Sequence, residues 1–191
     1  MARTRQFDDE ALERAALGFF WTNGYESTSI DTISKATGVG NGSIYAAYGS
    51  KRGLFVAVLE AYCAARIDIV RDAMNEGASV EASVRRFFDV IVDDCANQPG
   101  RRGCLMLNTI TEWGGRDAAI LEICQRTSRA MEAAVAERIS AEETDATADT
   151  VAILAAQIVL VSQGIISLSR LDEPLDRLSA IADSYRETLA L

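Results

Sequence analysis

Apolar residues fall three and four places apart in segment after segment of this chain, and no stretch alternates long enough to make a strand. Leu12, Ala15, Ala16, Phe19 and Phe20 share one face of a helix that Asp8 or Asp9 can cap, and Gly24 stands where a left-handed stop is wanted. Val84, Phe87, Phe88, Ile91, Val92 and Cys95 mark another helix, with Ser79 as its cap and Pro99-Gly100 as its end. A short segment over residues 103–113 stops at Gly114-Gly115, and a long helix is predicted over about 117–139. An apolar helix follows over about 148–171, and Pro174 suits the first turn of a last helix ending near Leu189. The expectation is an all-α chain of about nine helices.

The apolar residues 151–168 include Gln157, Ser162, Gln163 and Ser167, polar groups that hydrocarbon would leave uncompensated, so this segment reads as a buried helix and no membrane partner is expected. The first ten residues carry no apolar core of a signal peptide, and a cytoplasmic protein is expected. With no histidine, the usual triads, imidazole bases and most zinc sites are excluded, and neither cofactor nor metal is expected. Cys63, Cys95, Cys104 and Cys124 form no C-x-x-C pair and read as reduced thiols.

Charge divides the 191 residues unevenly. Residues 1–53 hold six basic and six acidic side chains, whereas residues 54–191 carry the whole net charge of −9. Only the N-terminal quarter can approach a polyanion without strong repulsion. The boundary is drawn there, with residues 1–53 as one domain and 54–191 as a second.

Within the neutral quarter, Thr28 and Asp31 are spaced like a capping box, and Ile30 and Ile33 give a short helix its inner face. Gly38 supplies a turn where a positive φ is needed, and Val39 and Ile44 point back into the crease before a second short helix. This is helix-turn-helix spacing, which presents the second helix to a DNA major groove; spacing alone leaves a plain helical hairpin open. The outward residues add chemistry. Asn41, Gly42, Ser43, Ala46 and Ala47 are small enough for close approach, Asn reads an adenine edge, and an Ala methyl packs on a thymine methyl. The hydroxyls of Tyr45 and Tyr48 and the ammonium of Lys51, beside Ser50 at a helix start, suit phosphate oxygens; a core aromatic and a solvated lysine are the plainer alternatives.

The run Phe19-Phe20, Gly24-Tyr25, Thr28-Ser29-Ile30, Ile33, Ala36, Gly38-Val39, Gly42-Ser43-Ile44-Tyr45, Tyr48-Gly49-Ser50-Lys51, Leu54-Phe55 and Val58-Leu59 resembles the DNA-binding region of TetR-family transcriptional regulators. The resemblance implies an all-helical homodimer, each subunit having a three-helix DNA-binding domain and a larger helical domain for ligand binding and dimerisation. It also implies a repressor that leaves double-stranded operator DNA when a small molecule binds. By position, Thr28, Ser43, Tyr45, Tyr48 and Lys51 match DNA-backbone contacts, and Asn41, Ala46 and Ala47 match base-reading positions. Gly40 replaces a common capping serine, which weakens that cap or shifts it to Asn41. With few hydrogen-bonding base readers, DNA shape or the basic arm at Arg3 and Arg5 is expected to contribute.

In the remainder, Ile153, Leu154, Ile158, Leu160, Val161, Ile165, Ile166 and Leu168, with Leu175, Leu178, Ile181, Tyr185 and Leu189, carry more apolar surface than surface helices need. The resemblance implies a four-helix dimer interface and hence a palindromic operator; an intrachain core is the alternative. Phe87, Phe88, Cys104, Met106, Trp113 and Ile120 are candidate ligand-binding residues, or plain core, and Glu112 beside Trp113 is a candidate for a cationic ligand. Arg101-Arg102-Gly103-Cys104-Leu105 puts two arginines near a thiol at a helix start, an arrangement that favours thiolate, and the segment resembles the Gly-Cys-Leu region of family members that sense electrophiles. A thiol-based electrophile or redox-sensing protein or enzyme acting through Cys104 is therefore the second functional reading, against a small buried cysteine that packs as a hydrophobe.

Overall fold

Asp8 opens the first helix, its carboxylate accepting from the Ala11 amide at 3.2 Å. The computed structural model describes residues 8–142 and 145–189; Arg3 and Arg5 lie outside the described residues. Among these, the secondary structure is nine α-helices and one 3-10 turn, in agreement with the helical spacing. They are α1 (Asp9–Ser27), α2 (Ile30–Thr37), α3 (Asn41–Tyr48), α4 (Lys51–Glu76), α5 (Val80–Asn97), the 3-10 turn Pro99–Arg101, α6 (Leu105–Trp113), α7 (Ala118–Ser140), α8 (Ala148–Ser169) and α9 (Leu175–Thr188).

Local chemistry explains most boundaries. Ser79 caps α5 through the Ala82 amide, Asp117 caps α7 through the Ala119 and Ile120 amides, and Thr147 caps α8 through the Thr150 amide. Two expectations shift. Gly24 does not end α1: at φ 78° and ψ 171° it kinks the helix, which resumes as one turn to Ser27. The cap of α2 is Ser29, whose hydroxyl accepts from the Thr32 amide at 3.0 Å, and not Thr28. Thr28 is buried instead, its hydroxyl donating to the Gly24 carbonyl at 2.8 Å with the Phe19 carbonyl at 3.2 Å.

Helices α1, α2 and α3 bury Leu12, Ala16, Phe20, Ile30, Ile33 and Ile44 against the start of α4. Gly38 takes the left-handed conformation at φ 73° and turns α2 into α3. Ile44 is the only buried residue of α3, worth about 1.5–3 kcal/mol of apolar transfer, and half-buried Tyr48 packs against the same core. Helix α4 runs through residues 53 and 54 without a break, so the two expected domains share a rod rather than a linker. It packs on α1 and α3 at one end and on α5 and α7 along the rest, and α8 and α9 close the far side. Buried Thr109, Thr127, Ser162 and Ser169 donate back to carbonyls of their own helices at 2.7–2.8 Å, which satisfies polar groups inside the bundle.

Helix α8 is long and apolar enough to cross a membrane, with a mean hydropathy of 2.1. Val151, Ala155, Ile158, Val159, Ile165 and Ile166 of its inner face are buried in the bundle. Its opposite face is not buried within this chain: Ile153 is 60% and Leu160 66% exposed, which does not fit the alternative of an intrachain core for these two residues.

Where the head meets the body, Arg52 of α4 grips Asp117 at the start of α7 through two bonds, 2.6 and 2.9 Å. The Arg52 guanidinium, aided by the Ile120 and Ala119 amides, lowers the Asp117 carboxyl from 3.8 to about 2. A depressed carboxylate contributes stability above its unfolded pKa and loses it as pH falls through the folded one. In urea titrations, the stability gap between wild type and Asp117→Asn should be full at pH 5 and close as pH drops from 4 towards 2. A gap independent of pH would mean the ion pair does not tie the two parts together.

Candidate functional site

The outer face of α3 is an exposed surface of the N-terminal head. Asn41, Gly42, Ser43, Tyr45 and Ala46 are exposed, Ala47 and Tyr48 are half-buried, and Tyr45 is 48% exposed. Gly40 at the N-cap makes no side-chain cap, so the start of α3 lacks a capping side chain, as expected from the missing serine. On α2, Lys35 pairs with Asp31 at 2.7 Å and holds that carboxyl below its ordinary value, with a smaller contribution from Asn41. The Tyr48 hydroxyl donates to Glu13 Oε1 at 2.9 Å and joins α3 to α1.

Lys51 sits differently from the phosphate contact expected of it. Its ammonium donates to the Tyr25 and Thr28 carbonyls at 2.9 Å each and to the Glu26 carbonyl at 3.4 Å, and lies 4.1 Å from the centre of the Tyr25 ring. Three N–H donors meet three carbonyls, so Lys51 closes the end of α1. Of the eight expected DNA contacts, the structure groups Asn41, Ser43, Tyr45, Ala46, Ala47 and Tyr48 on or beside one exposed face; Thr28 and Lys51 lie behind it as supports.

Glu112 supports the same turn from the other side. Its two carboxylate oxygens accept from the Tyr25 amide at 3.0 Å and the Glu26 amide at 3.1 Å, so it caps a broken helix and is not held ready for a cationic ligand. The kink at Gly24 frees these amides, and a Cβ there would stand 3.2 Å from the Glu112 carboxylate oxygens. Tyr25, Phe55 and Trp113 pack around the joint, Tyr25 to Trp113 at 4.7 Å between centroids and Phe55 to Trp113 at 5.8 Å.

The six candidate ligand-binding residues separate. Phe87, Cys104 and Met106 line one small cavity of about 30 Å³ between α4, α5, α6, α7 and α8. Phe88 turns to Tyr185 of α9, Trp113 belongs to the joint, and Ile120 is buried on α7. Arg66, Ile91 and Met131 complete the cavity and were missed. A charged residue in step with buried Tyr62 and Val70 on α4 is the signal that marks Arg66.

Cys104 is 7% exposed, and its sulfur accepts from the Tyr62 hydroxyl at 3.3 Å. The arginines expected beside it turn elsewhere: Arg101 donates to the Glu173 carbonyl at 2.8 Å and pairs with Asp172, and Arg102 stacks 4.4 Å from the Trp21 ring centre. Burial pushes the Cys63 thiol up to about 12 and the Cys124 thiol up to about 11. Cys104 is buried and the two arginines next to it in sequence are engaged elsewhere, so the thiol-based reading is not favoured.

Comparison with known proteins agrees with this geometry. Residues 13–58 match the model of bacterial regulatory proteins of the tetR family, and residues 81–185 match the tetracyclin repressor-like C-terminal domain. The chain is 34% identical over 111 residues to the HTH-type transcriptional repressor ComR of Escherichia coli, covering 57% of this chain and 52% of ComR. It is 26% identical over 132 residues to the uncharacterized HTH-type regulator YezE of Bacillus subtilis, covering 69% of this chain and 68% of YezE. Among solved structures, a cysteine mutant of the TetR-family regulator CifR in complex with 26-bp double-strand operator DNA superposes with a TM-score of 0.84 at 26% identity, over 97% of this chain and 99% of that one. With both domain models matched in order, the chain belongs to the TetR family of DNA-binding transcriptional regulators, not to a family of enzymes.

Proposed function

We propose that the protein is a cytoplasmic, homodimeric repressor that grips a palindromic operator with two copies of α3 and releases it when a small molecule enters the C-terminal bundle. The observation that carries this is the outer face of α3: small side chains at Asn41, Gly42, Ser43 and Ala46, with Tyr45 standing beside them. A helix this slender sits deep in a major groove, and buried Ile44 and the Tyr48–Glu13 bond tie it to the body. Asn41, Ala46 and Ala47 face base edges; Ser43 and Tyr45 reach phosphates, while Tyr48, its hydroxyl given to Glu13, holds α3 against α1. Residues 1–53 bind DNA, and residues 54–191 pair the subunits and hold the effector. The similarity to ComR, a repressor, and to CifR, solved on operator DNA, supports this reading.

The outward residues of α8 support the dimer. Ile153, Gln157, Leu160, Gly164, Ser167 and Leu171 are all exposed and follow one another by four and three places, the spacing of a helix-packing seam. Leu160 and Leu171, 66% and 70% exposed, are the large apolar groups that a second copy covers.

Helix α6 supplies the route for release. Its N-terminal end, with Cys104 just before it and Met106 on its first turn, borders the small cavity; at its far end Glu112 holds the Tyr25 and Glu26 amides. A nine-residue helix is a rod about 13 Å long, so a group lodged at one end shifts the clamp at the other.

Three outcomes are expected. Leu160→Glu should turn a dimer into a monomer in sedimentation velocity; an intact dimer would place the interface elsewhere. Selection from random duplexes should return a palindrome, and Tyr45→Ala should weaken binding to it about tenfold or more; an unchanged affinity would remove α3 from the groove. Lys51→Met should cost about 1 kcal/mol of stability by removing the ammonium from three part-buried or exposed carbonyls, yet leave the slope of log affinity against log salt unchanged. A slope smaller by about one would return Lys51 to the phosphate contacts.

A further inference from the structure

Arg170, the residue that ends α8, reaches across to the loop before α6. Its Nη1 donates to Asn108 Oδ1 at 2.7 Å, and the Asn108 amide donates in turn to the Arg102 carbonyl at 3.0 Å. The aliphatic stem of Arg170 lies on buried Gly103, where a Cβ would stand 2.5 Å from Arg170 Cδ and 3.0 Å from Cγ. The other side of the same loop is held by the DNA-facing head. Trp21 of α1 donates through Nε1 to the Gly103 carbonyl at 3.2 Å, and the Arg102 guanidinium stacks 4.4 Å from the centre of the Trp21 ring. Residues 102 and 103 are thus fastened on one side to α1 and on the other to the end of α8.

Open grooves of about 310 and 320 Å³ flank this crossing, and Arg170 and Asn108 stand in the walls of both. Helix α8 packs on α5, α7 and α9, and reaches α6 and α1 through this side chain. What the crossing controls follows from where α8 ends. Ser167 and Leu171, to either side of Arg170, are exposed and belong to the seam assigned to the partner subunit. In a two-fold dimer, the distance between the two copies of α3 is fixed by how each head sits on its pairing helices. One more base pair between half-sites moves the second by about 3.4 Å along the duplex and about 35° around it, so a loosely seated head reads neighbouring spacings alike. Arg52 and Glu112 tie the head to α7 and α6; the crossing at Arg170 carries that tie on to the pairing helix itself.

We propose that Arg170 is a positioning residue for DNA binding: by fastening α8 to the loop that holds Trp21, it sets the spacing between half-sites that the dimer accepts. The proposal rests on the pairing of subunits through α8 and on no effector.

The test measures affinity of the full-length dimer for the selected palindrome, for the same duplex with one base pair added to or removed from its centre, and for a duplex holding a single half-site. Wild type should lose about tenfold or more on either change of spacing. Arg170→Ala should reduce that loss to about threefold or less, while its affinity for the single half-site and its sedimentation as a dimer stay at wild-type values. Arg170→Lys, which keeps the stem and one donor head, should restore the wild-type preference. Trp21→Phe, which keeps a ring and removes the Nε1 donor, should relax the preference from the other end. The double variant should relax it no further than the more affected single one, as links in one chain do. An unchanged spacing preference in folded, dimeric Arg170→Ala, additive effects in the double variant, or a wild type indifferent to spacing would each overturn the assignment while leaving DNA binding by α3 in place. A wild type that sediments as a monomer would instead overturn the pairing of subunits, and the proposal with it.

Discussion

The turn of backbone over residues 25–28 is the part on which the rest of the molecule depends. The Gly24 kink takes this turn out of the regular helix, so it exposes amides on one side and carbonyls on the other. Glu112 takes the amides of Tyr25 and Glu26; Lys51 takes the carbonyls of Tyr25, Glu26 and Thr28. Neither charge is local in sequence. Lys51 opens α4 and Glu112 is next to last in α6, so one short turn joins the DNA-facing head to both helices. Charge-assisted bonds to backbone are roughly twice as strong as neutral ones, which makes this clamp strong for its size.

The clamp also explains how a slender reading helix can be held firmly. Helix α3 has one buried residue, and its position rests on α1 and α2, whose own ends meet at the clamped turn. The aromatic group of Phe20, Tyr25, Phe55 and Trp113 fills the space beneath it. Most of that apolar packing surrounds the polar clamp and leaves its groups in a partly dry setting, where charge counts for more.

Much of the fold was legible in the sequence because helix spacing, Gly38, Ser79 and Asp117 act locally, and local rules need no knowledge of neighbours. The exposed face of α3 was legible for the same reason: the position of Ile44 alone decides which side turns out. Three features were not. An ammonium suits three carbonyls as well as a phosphate, so the role of Lys51 depended on where the end of α1 lay. Arg101, Arg102 and Cys104 are adjacent in sequence, but positive φ at Gly100, Arg101 and Gly103 reverses the chain and sends the two guanidiniums to Glu173 and Trp21. Arg66 carries no motif; its partner stands on α5 and the cavity it borders is walled by residues of five helices.

Amide exchange at Tyr25 and Glu26, measured by NMR on wild type and Glu112→Ala alongside binding to the selected duplex, tests the clamp most directly. The account requires faster exchange at both amides and weaker DNA binding in the variant, with α5 and α7 exchange unchanged. Wild-type protection at Tyr25 and Glu26 in Glu112→Ala, with undiminished affinity, would show that the head is positioned without the clamp.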